Sequence, residues 1–240
     1  MTNAPETEAG SSIVELSAAD EHRLFDGHPL SPLAQSYSAD PWWPELQKIK
    51  AFSMLHYETL FLLRHFARAA DGAVIEVGPY LGGSTIALAR GVEASGKGPL
   101  ISIEVGGAHL GHSLATADII ADLRANLSKY GVSHVAHIME GFSTDPTIDA
   151  EVNKLLDGRG IGLLFLDADG HVERDFNLYR DRLTDHAIIV LDDYMTYGAE
   201  PAHEKTTTVK LWVDQAIQAG IVEDLGIYRW ATWFGRYRAS

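Results

Sequence analysis

Ala73–Val74–Ile75–Glu76–Val77–Gly78–Pro79–Tyr80–Leu81–Gly82–Gly83–Ser84–Thr85 is an apolar strand that ends on a carboxylate, then a glycine-rich turn, then the start of a helix. That succession opens a βαβ unit, whose ligands gather at the carboxyl ends of the strands. Gly78, Gly82 and Gly83 carry no Cβ, so the backbone there can take positive φ and approach a ligand closely. Ser84 and Thr85 open the helix with free N–H groups. A second apolar strand, Leu100–Val105, carries Glu104 at its end. A carboxylate in that place suits a ribose diol, because it accepts two hydroxyl hydrogen bonds.

The alternation continues downstream. Helices are expected over Ser84–Ala94, Thr116–Tyr130, Asp145–Leu156, Val172–Leu183 and Thr206–Ala219. Strands are expected over Val74–Val77, Leu100–Val105, Val135–Met139, Leu163–Asp167, Ala187–Asp192, Val222–Tyr228 and Ala231–Tyr237. The pattern predicts an α/β fold: a Rossmann-like, doubly wound sheet of seven strands, mostly parallel, with an antiparallel C-terminal hairpin strand. Upstream, the turn Asp40–Pro41–Trp42–Trp43–Pro44 precedes a helix to Arg68, broken near Phe52–Ser53. Residues 1–16 are expected to be a mobile tail, 17–70 a helical lid region in which Ser17–Asp20 resembles a helix start, and 71–240 the α/β domain.

The 240 residues suffice for a substantial core, and the formal charge of −14 disfavours nucleic-acid phosphates. No apolar run is long enough for a bilayer and no leader pattern opens the chain, so a cytoplasmic location is expected, with no membrane partner. The absence of cysteine excludes thiolate metal sites and a cysteine nucleophile. The expected partner is a small hydroxylated molecule, with a homo-oligomer as a further expectation.

A dinucleotide fingerprint G-x-G-x-x-G would place its second glycine where Tyr80 stands, and the phosphate loop G-x-x-x-x-G-K-[ST] is absent. The loop suits a nucleoside without a diphosphate. Glu76-x-Gly78-x-x-x-Gly82-Gly83-Ser84 with Glu104 resembles the first two motifs of class I S-adenosylmethionine-dependent methyltransferases, over about Phe52 to Arg236. The resemblance implies that Glu76, Gly78, Gly82, Gly83 and Ser84 hold the methionine part of S-adenosylmethionine. Glu104 would hold its ribose, and Gly141, Phe142 and Ser143 would lie near the adenine.

Two further strands end in acids, at Asp167-Ala168-Asp169-Gly170-His171 and at Asp192-Asp193. Adjacent strands lie ~4.8 Å apart, so these carboxylates converge and repel one another unless a cation sits between them. A hard divalent ion fits, Mg²⁺ by expectation, with Mn²⁺ or Ca²⁺ as alternatives. This pattern resembles the metal-dependent O-methyltransferases, both the catechol type and those acting on antibiotic sugars. The resemblance implies Asp167, Asp192 and Asp193 as metal ligands, with Asp167 also among the cofactor contacts. It implies Asp169 as the general base, with His171 as the competing base. The lysine base of catechol-type enzymes is not expected, since Ala168 and Gly170 flank Asp169.

The implied reaction is metal-assisted O-methylation of a catechol, phenolic or natural-product sugar. The alternatives are an oxygenase or hydrolase on the same fold, or a non-catalytic nucleoside-binding protein. Trp42, Trp43, Met54, Tyr57, Tyr194, Tyr197 and Trp230 are candidates for the substrate wall, although aromatics in such places more often belong to the core. Tyr197–Lys205 is expected to be a mobile loop over the acids, and the long Gly106–His112 loop either a flap or a contact for substrate or a partner chain, with His109 and His112 read as surface or packing residues rather than as ligands.

Overall fold

The computed structural model describes residues 29–194, 204–228 and 231–239. The expected helix start near Ser17, and Tyr197 and Trp230, lie outside them. The strands are β1 (Ala73–Val77), β2 (Leu100–Glu104), β3 (Ala136–Glu140), β4 (Ile161–Leu166), β5 (Leu183–Leu191), β6 (Val222–Tyr228) and β7 (Thr232–Tyr237). They form one seven-stranded sheet in the order β3-β2-β1-β4-β5-β7-β6. β1 to β5 pair in parallel, and β7 lies antiparallel between β5 and β6. The predicted fold class is the one observed.

Helices α1 (Ser31–Gln35), α2 (Trp43–Ile49), α3 (Tyr57–Ala69), α4 (Gly83–Ser95) and α5 (Ile119–Lys129) precede β3; α6 (Pro146–Leu156), α7 (Val172–Tyr179) and α8 (Glu204–Gln218) follow it. The helix expected from Trp43 to Arg68 is split between α2 and α3 by a short 3₁₀ turn at Lys50–Phe52.

Side-chain alternation along each strand divides the core in two. Val74, Leu163, Phe165, Val190 and Phe234 face Leu60, Leu63, Ile86 and Leu123 from α3, α4 and α5. Ile75, Leu164, Ile189 and Trp233 face Val152, Phe176 and Val209 from α6, α7 and α8. Helices cover both faces, so the central strands are buried along their whole length, as in a parallel sheet. The N-terminal segment joins the first layer. Leu46 and Ile49 are fully buried there, Trp42 nearly so, and Trp43 packs edge-on against Tyr57 with ring centroids 4.9 Å apart. These aromatics are core, whereas Met54 is exposed.

Ladder hydrogen bonds carry past the strand ends and hold the carboxyl edge in place. The Gly78 amide donates to Ile103 O (3.0 Å), the Asp167 amide to Val77 O (2.9 Å) and the Asp192 amide to Leu166 O (3.2 Å). Gly78 has φ +89°, and a Cβ there would collide with the carbonyl of Asp167. Gly78→Ala is therefore expected to cost at least about 3 kcal/mol, from left-handed strain plus overpacking. Thermal unfolding checks this, with a fall in Tm of roughly 6–12 °C expected for a chain of this size. An unchanged Tm would show that the loop relaxes away from β4.

Two loops depart from expectation. The helix expected from Thr116 begins at Ile119, because Thr116 instead pairs with His109 in a β-bridge and donates to Asp122 Oδ2 (2.5 Å). Asp118 caps α5 through the Ala121 amide (2.9 Å). The helix expected to reach Leu183 ends at Tyr179, and β5 begins early, pairing Leu183 with Ile161. His186, with φ +65°, marks the irregularity in between.

Candidate active site

The glycine turn and the acidic strand ends meet on one edge of the sheet. Glu76, from β1, is fully buried beneath the turn. Its Oε2 accepts from Thr85 Oγ1 and Ser102 Oγ, both at 2.7 Å. Its Oε1 is buried with no hydrogen-bond partner. Burial raises the Glu76 pKa, and the hydroxyls of Ser102, Ser84 and Thr85 only partly offset that. Glu76 thus ties β1, β2 and α4 together under the loop.

The three glycines have packing reasons of their own, beyond the ligand approach read from the sequence. Gly78 closes on Asp167. A Cβ at Gly82 would lie 2.7 Å from Leu123 Cδ1, and one at Gly83 would strike Ser53. Gly82 is the N-cap of α4 and offers no side chain to its first turn. The start of α4, with Ser84 in it, is therefore suited to an anionic group.

Glu104, almost fully buried, accepts from the Tyr80 amide on Oε2 (3.0 Å) and the Gly106 amide on Oε1 (3.1 Å). Tyr80, with φ +48°, donates its hydroxyl to Leu114 O (2.5 Å). Its ring lies edge-on to His109 and His112, at 5.9 and 5.7 Å. The loop after β2 is thereby latched over the turn after β1, with both histidine rings against Tyr80. Beyond β3, Gly141 has φ +148° and Phe142 is 65% exposed. The Ser143 hydroxyl, by contrast, is buried and donates to Asp175 Oδ1 (2.6 Å).

Asp167, Asp192 and Asp193 each offer a carboxylate oxygen, all within 4.8 Å of one another. Thr232 Oγ1 donates to Asp192 Oδ1 (2.6 Å), so β7 helps to aim that carboxylate. Burial and the neighbouring Asp192 charge push the Asp167 carboxyl well above the usual range. Burial and the Asp193 charge push Asp192 up to about 6.

Two basic residues at this edge escaped the sequence reading. Lys205 was assigned to a mobile loop, but it sits in the first turn of α8. Its Nζ lies 3.3 Å from Asp167 Oδ1 and pairs directly with Asp193 Oδ2. Burial alone lowers a lysine pKa, but the Asp167 and Asp193 charges outweigh it and hold Lys205 above its ordinary value. Arg174 grips Asp169 through two nitrogens, at 2.8 and 3.1 Å, and also holds Asp175 Oδ2 (2.8 Å). Burial opposes it, yet Arg174 and the His171 amide bring the Asp169 carboxyl below its usual range. Asp169 and His171 are both exposed. A small pocket beside the cluster is lined by Ala168, Gly170, His171, Asp192, Lys205 and Val209.

A sheet ordered 3-2-1-4-5-7-6, with a glycine turn after β1 and acids closing β1, β2, β4 and β5, has the Rossmann-like methyltransferase fold. The family model described as "Methyltransferase domain" matches residues 75–194, half of the chain, and the chain belongs to that family. No curated protein matches it in sequence.

Solved structures of similar fold include cofactor-bound Rv0187 from MTB (19% identity, 90% of this chain and 100% of that one, TM-score 0.60). The O-methyltransferase TomG of Streptomyces achromogenes, in complex with SAM, is similar at 18% identity over 89% of this chain and 92% of its own, with TM-score 0.59. The SAH-bound methyltransferase PaMTH1 of Podospora anserina is similar at 14% identity over 87% and 94%, with TM-score 0.58. Among the described residues, no helix is long and apolar enough to cross a membrane.

Proposed function

We propose that this protein transfers the methyl group of S-adenosylmethionine to a hydroxyl of a small molecule, a catechol, phenolic or natural-product sugar, with the help of a divalent cation, Mg²⁺ by expectation. The observation that carries the reading is adjacency. The glycine turn rests on the Asp167 backbone at Gly78, so residues suited to a nucleoside and carboxylates suited to a cation share one sheet edge.

The residues fit both groups. The orphaned Glu76 Oε1, the N-terminus of α4 without a side-chain cap, the Glu104 acceptors and the exposed Phe142 ring suit a nucleoside with a charged amino-acid tail. Three converging carboxylates suit a hard cation. Neighbours of the same fold that carry SAM or SAH support the donor.

When bound, the donor would supply an electrophilic sulfonium methyl and the cation would lower the pKa of the acceptor hydroxyl. The start of α4 would hold the donor's tail, and Glu104 would accept from its ribose hydroxyls. Asp167, Asp192 and Asp193 would hold the cation. The rate gain from this arrangement comes largely from holding two reactants in line.

His171 is the better base of the two considered, because it is among the residues lining the pocket beside the cluster while Arg174 engages both oxygens of Asp169. His171→Ala is expected to lower kcat roughly 10²–10⁴-fold, and Asp169→Asn much less. Steady-state kinetics of the two variants decide between them, and the reverse order would return the role to Asp169.

Calorimetric titration with S-adenosylmethionine and with NAD⁺, each with and without Mg²⁺, tests the cofactor. Binding of the first alone supports the reading and justifies screening catechols, flavonoids and glycosides with isotopically labelled donor. Failure to bind S-adenosylmethionine under any condition overturns it.

A further inference from the structure

Lys205 is placed at the acidic cluster by the backbone as well as by charge. Gly170, with φ +83°, lies directly under it: a Cβ there would be 2.6 Å from Lys205 Cγ and 3.0 Å from Lys205 Cα. Any other residue at 170 would push the first turn of α8 away from β4. The glycine therefore lets this one side chain reach Asp167, 38 positions earlier in the chain. The ammonium then touches two of three carboxylates whose oxygens lie within 4.8 Å of one another. That is where a divalent ion would make its contacts, and an ammonium within ~4 Å of such an ion is repelled by it.

We infer that Lys205 is a tethered counter-cation of the Asp167–Asp192–Asp193 cluster, and that it and a divalent ion are mutually exclusive occupants. This rests on reading the cluster as a divalent-cation site. Without the ion, the lysine offsets part of the carboxylate repulsion and keeps α8 docked on Gly170. Ion binding then has to displace the lysine, which weakens apparent ion affinity by the cost of that displacement. Lys205 also lines the pocket with His171 and Asp192. Its withdrawal therefore enlarges the space beside the cluster, where the acceptor hydroxyl must reach the ion. Cation binding and acceptor access are coupled through one side chain.

The test is calorimetric titration of the full-length protein and of Lys205→Met with Mn²⁺ and Mg²⁺. In parallel, Lys205 labelling of the wild type by an amine-reactive ester is followed by mass spectrometry with and without Mn²⁺. At least tenfold tighter ion binding in K205M, and severalfold faster Lys205 labelling in the presence of Mn²⁺, are expected. Equal affinity in the two proteins, or labelling that Mn²⁺ leaves unchanged, overturns this inference while the cation site stands. No ion binding by either protein overturns both. Should K205M fail to fold, the labelling of the wild type decides alone.

Discussion

Asp167→Ala and Asp192→Ala are each expected to lower kcat/KM roughly 10³-fold, the scale of several kcal/mol that a Lewis acid contributes to a transition state. Affinity for S-adenosylmethionine should stay unchanged in both. The physical basis is the division of the sheet edge: β1 and β2 carry Glu76 and Glu104, while β4 and β5 lead into Asp167, Asp192 and Asp193. In D167A the contact with Gly78 survives, because it involves the Asp167 carbonyl and not its side chain.

Neither variant should melt earlier than wild type by more than a few degrees, since each removes one of three mutually repelling carboxylates. Asp192→Asn keeps an acceptor for the Thr232 hydroxyl (2.6 Å) and separates loss of charge from loss of that bond. Methyl-transfer kinetics, donor titration and thermal melts together check the prediction. If donor affinity fell equally in both alanine variants, two separate sites would be the wrong description.

Glu104→Ala is expected to weaken S-adenosylmethionine binding roughly 100-fold, the worth of two hydrogen bonds to a charged acceptor. The same carboxylate receives the Tyr80 and Gly106 amides, so its loss also frees the loop latched over the glycine turn. Glu104→Gln keeps one carbonyl oxygen and should fall between wild type and alanine. Calorimetry measures the effect, and Mn²⁺ affinity should not change. Donor affinity that is the same in E104A and wild type would remove Glu104 from the site.

Much of the site was legible because strand ends are places a sequence can name. An apolar run that stops on an acid puts that acid at the carboxyl edge, which is how Glu76, Glu104, Asp167 and Asp192 were located. Their roles were less legible. Glu76 carries the same signature as Glu104, yet its Oε2 is taken by Thr85 and Ser102 and only Oε1 is left without a partner. Ser143, expected near an adenine, donates its hydroxyl to Asp175, a partner the sequence does not name.

Arg174 lies only five residues beyond Asp169, within reach across the first turn of α7, and a sequence reading had that signal available. Lys205 had only an indirect signal, a glycine at 170 where a helix start needs none. The short apolar strands were found at their cores and misjudged at their ends. There, local hydrogen bonds such as Thr116 to Asp122 compete with helix formation.

The sequence by itself determined the layers, the direction of the strands and the acidic edge. Strands buried along their whole length and short strand–helix alternation admit few other arrangements. It also determined that the last strand returns antiparallel, since a turn of a few residues cannot make a parallel crossover. Only the tertiary structure decided which charges meet. The reach of Lys205 into the cluster depends on how α8 docks on Gly170, and the latch of Tyr80 on Leu114 depends on a loop with no repeating pattern. Backbone hydrogen bonding enforces periodicity locally, whereas a long side chain's partner is set by packing between segments far apart in the chain.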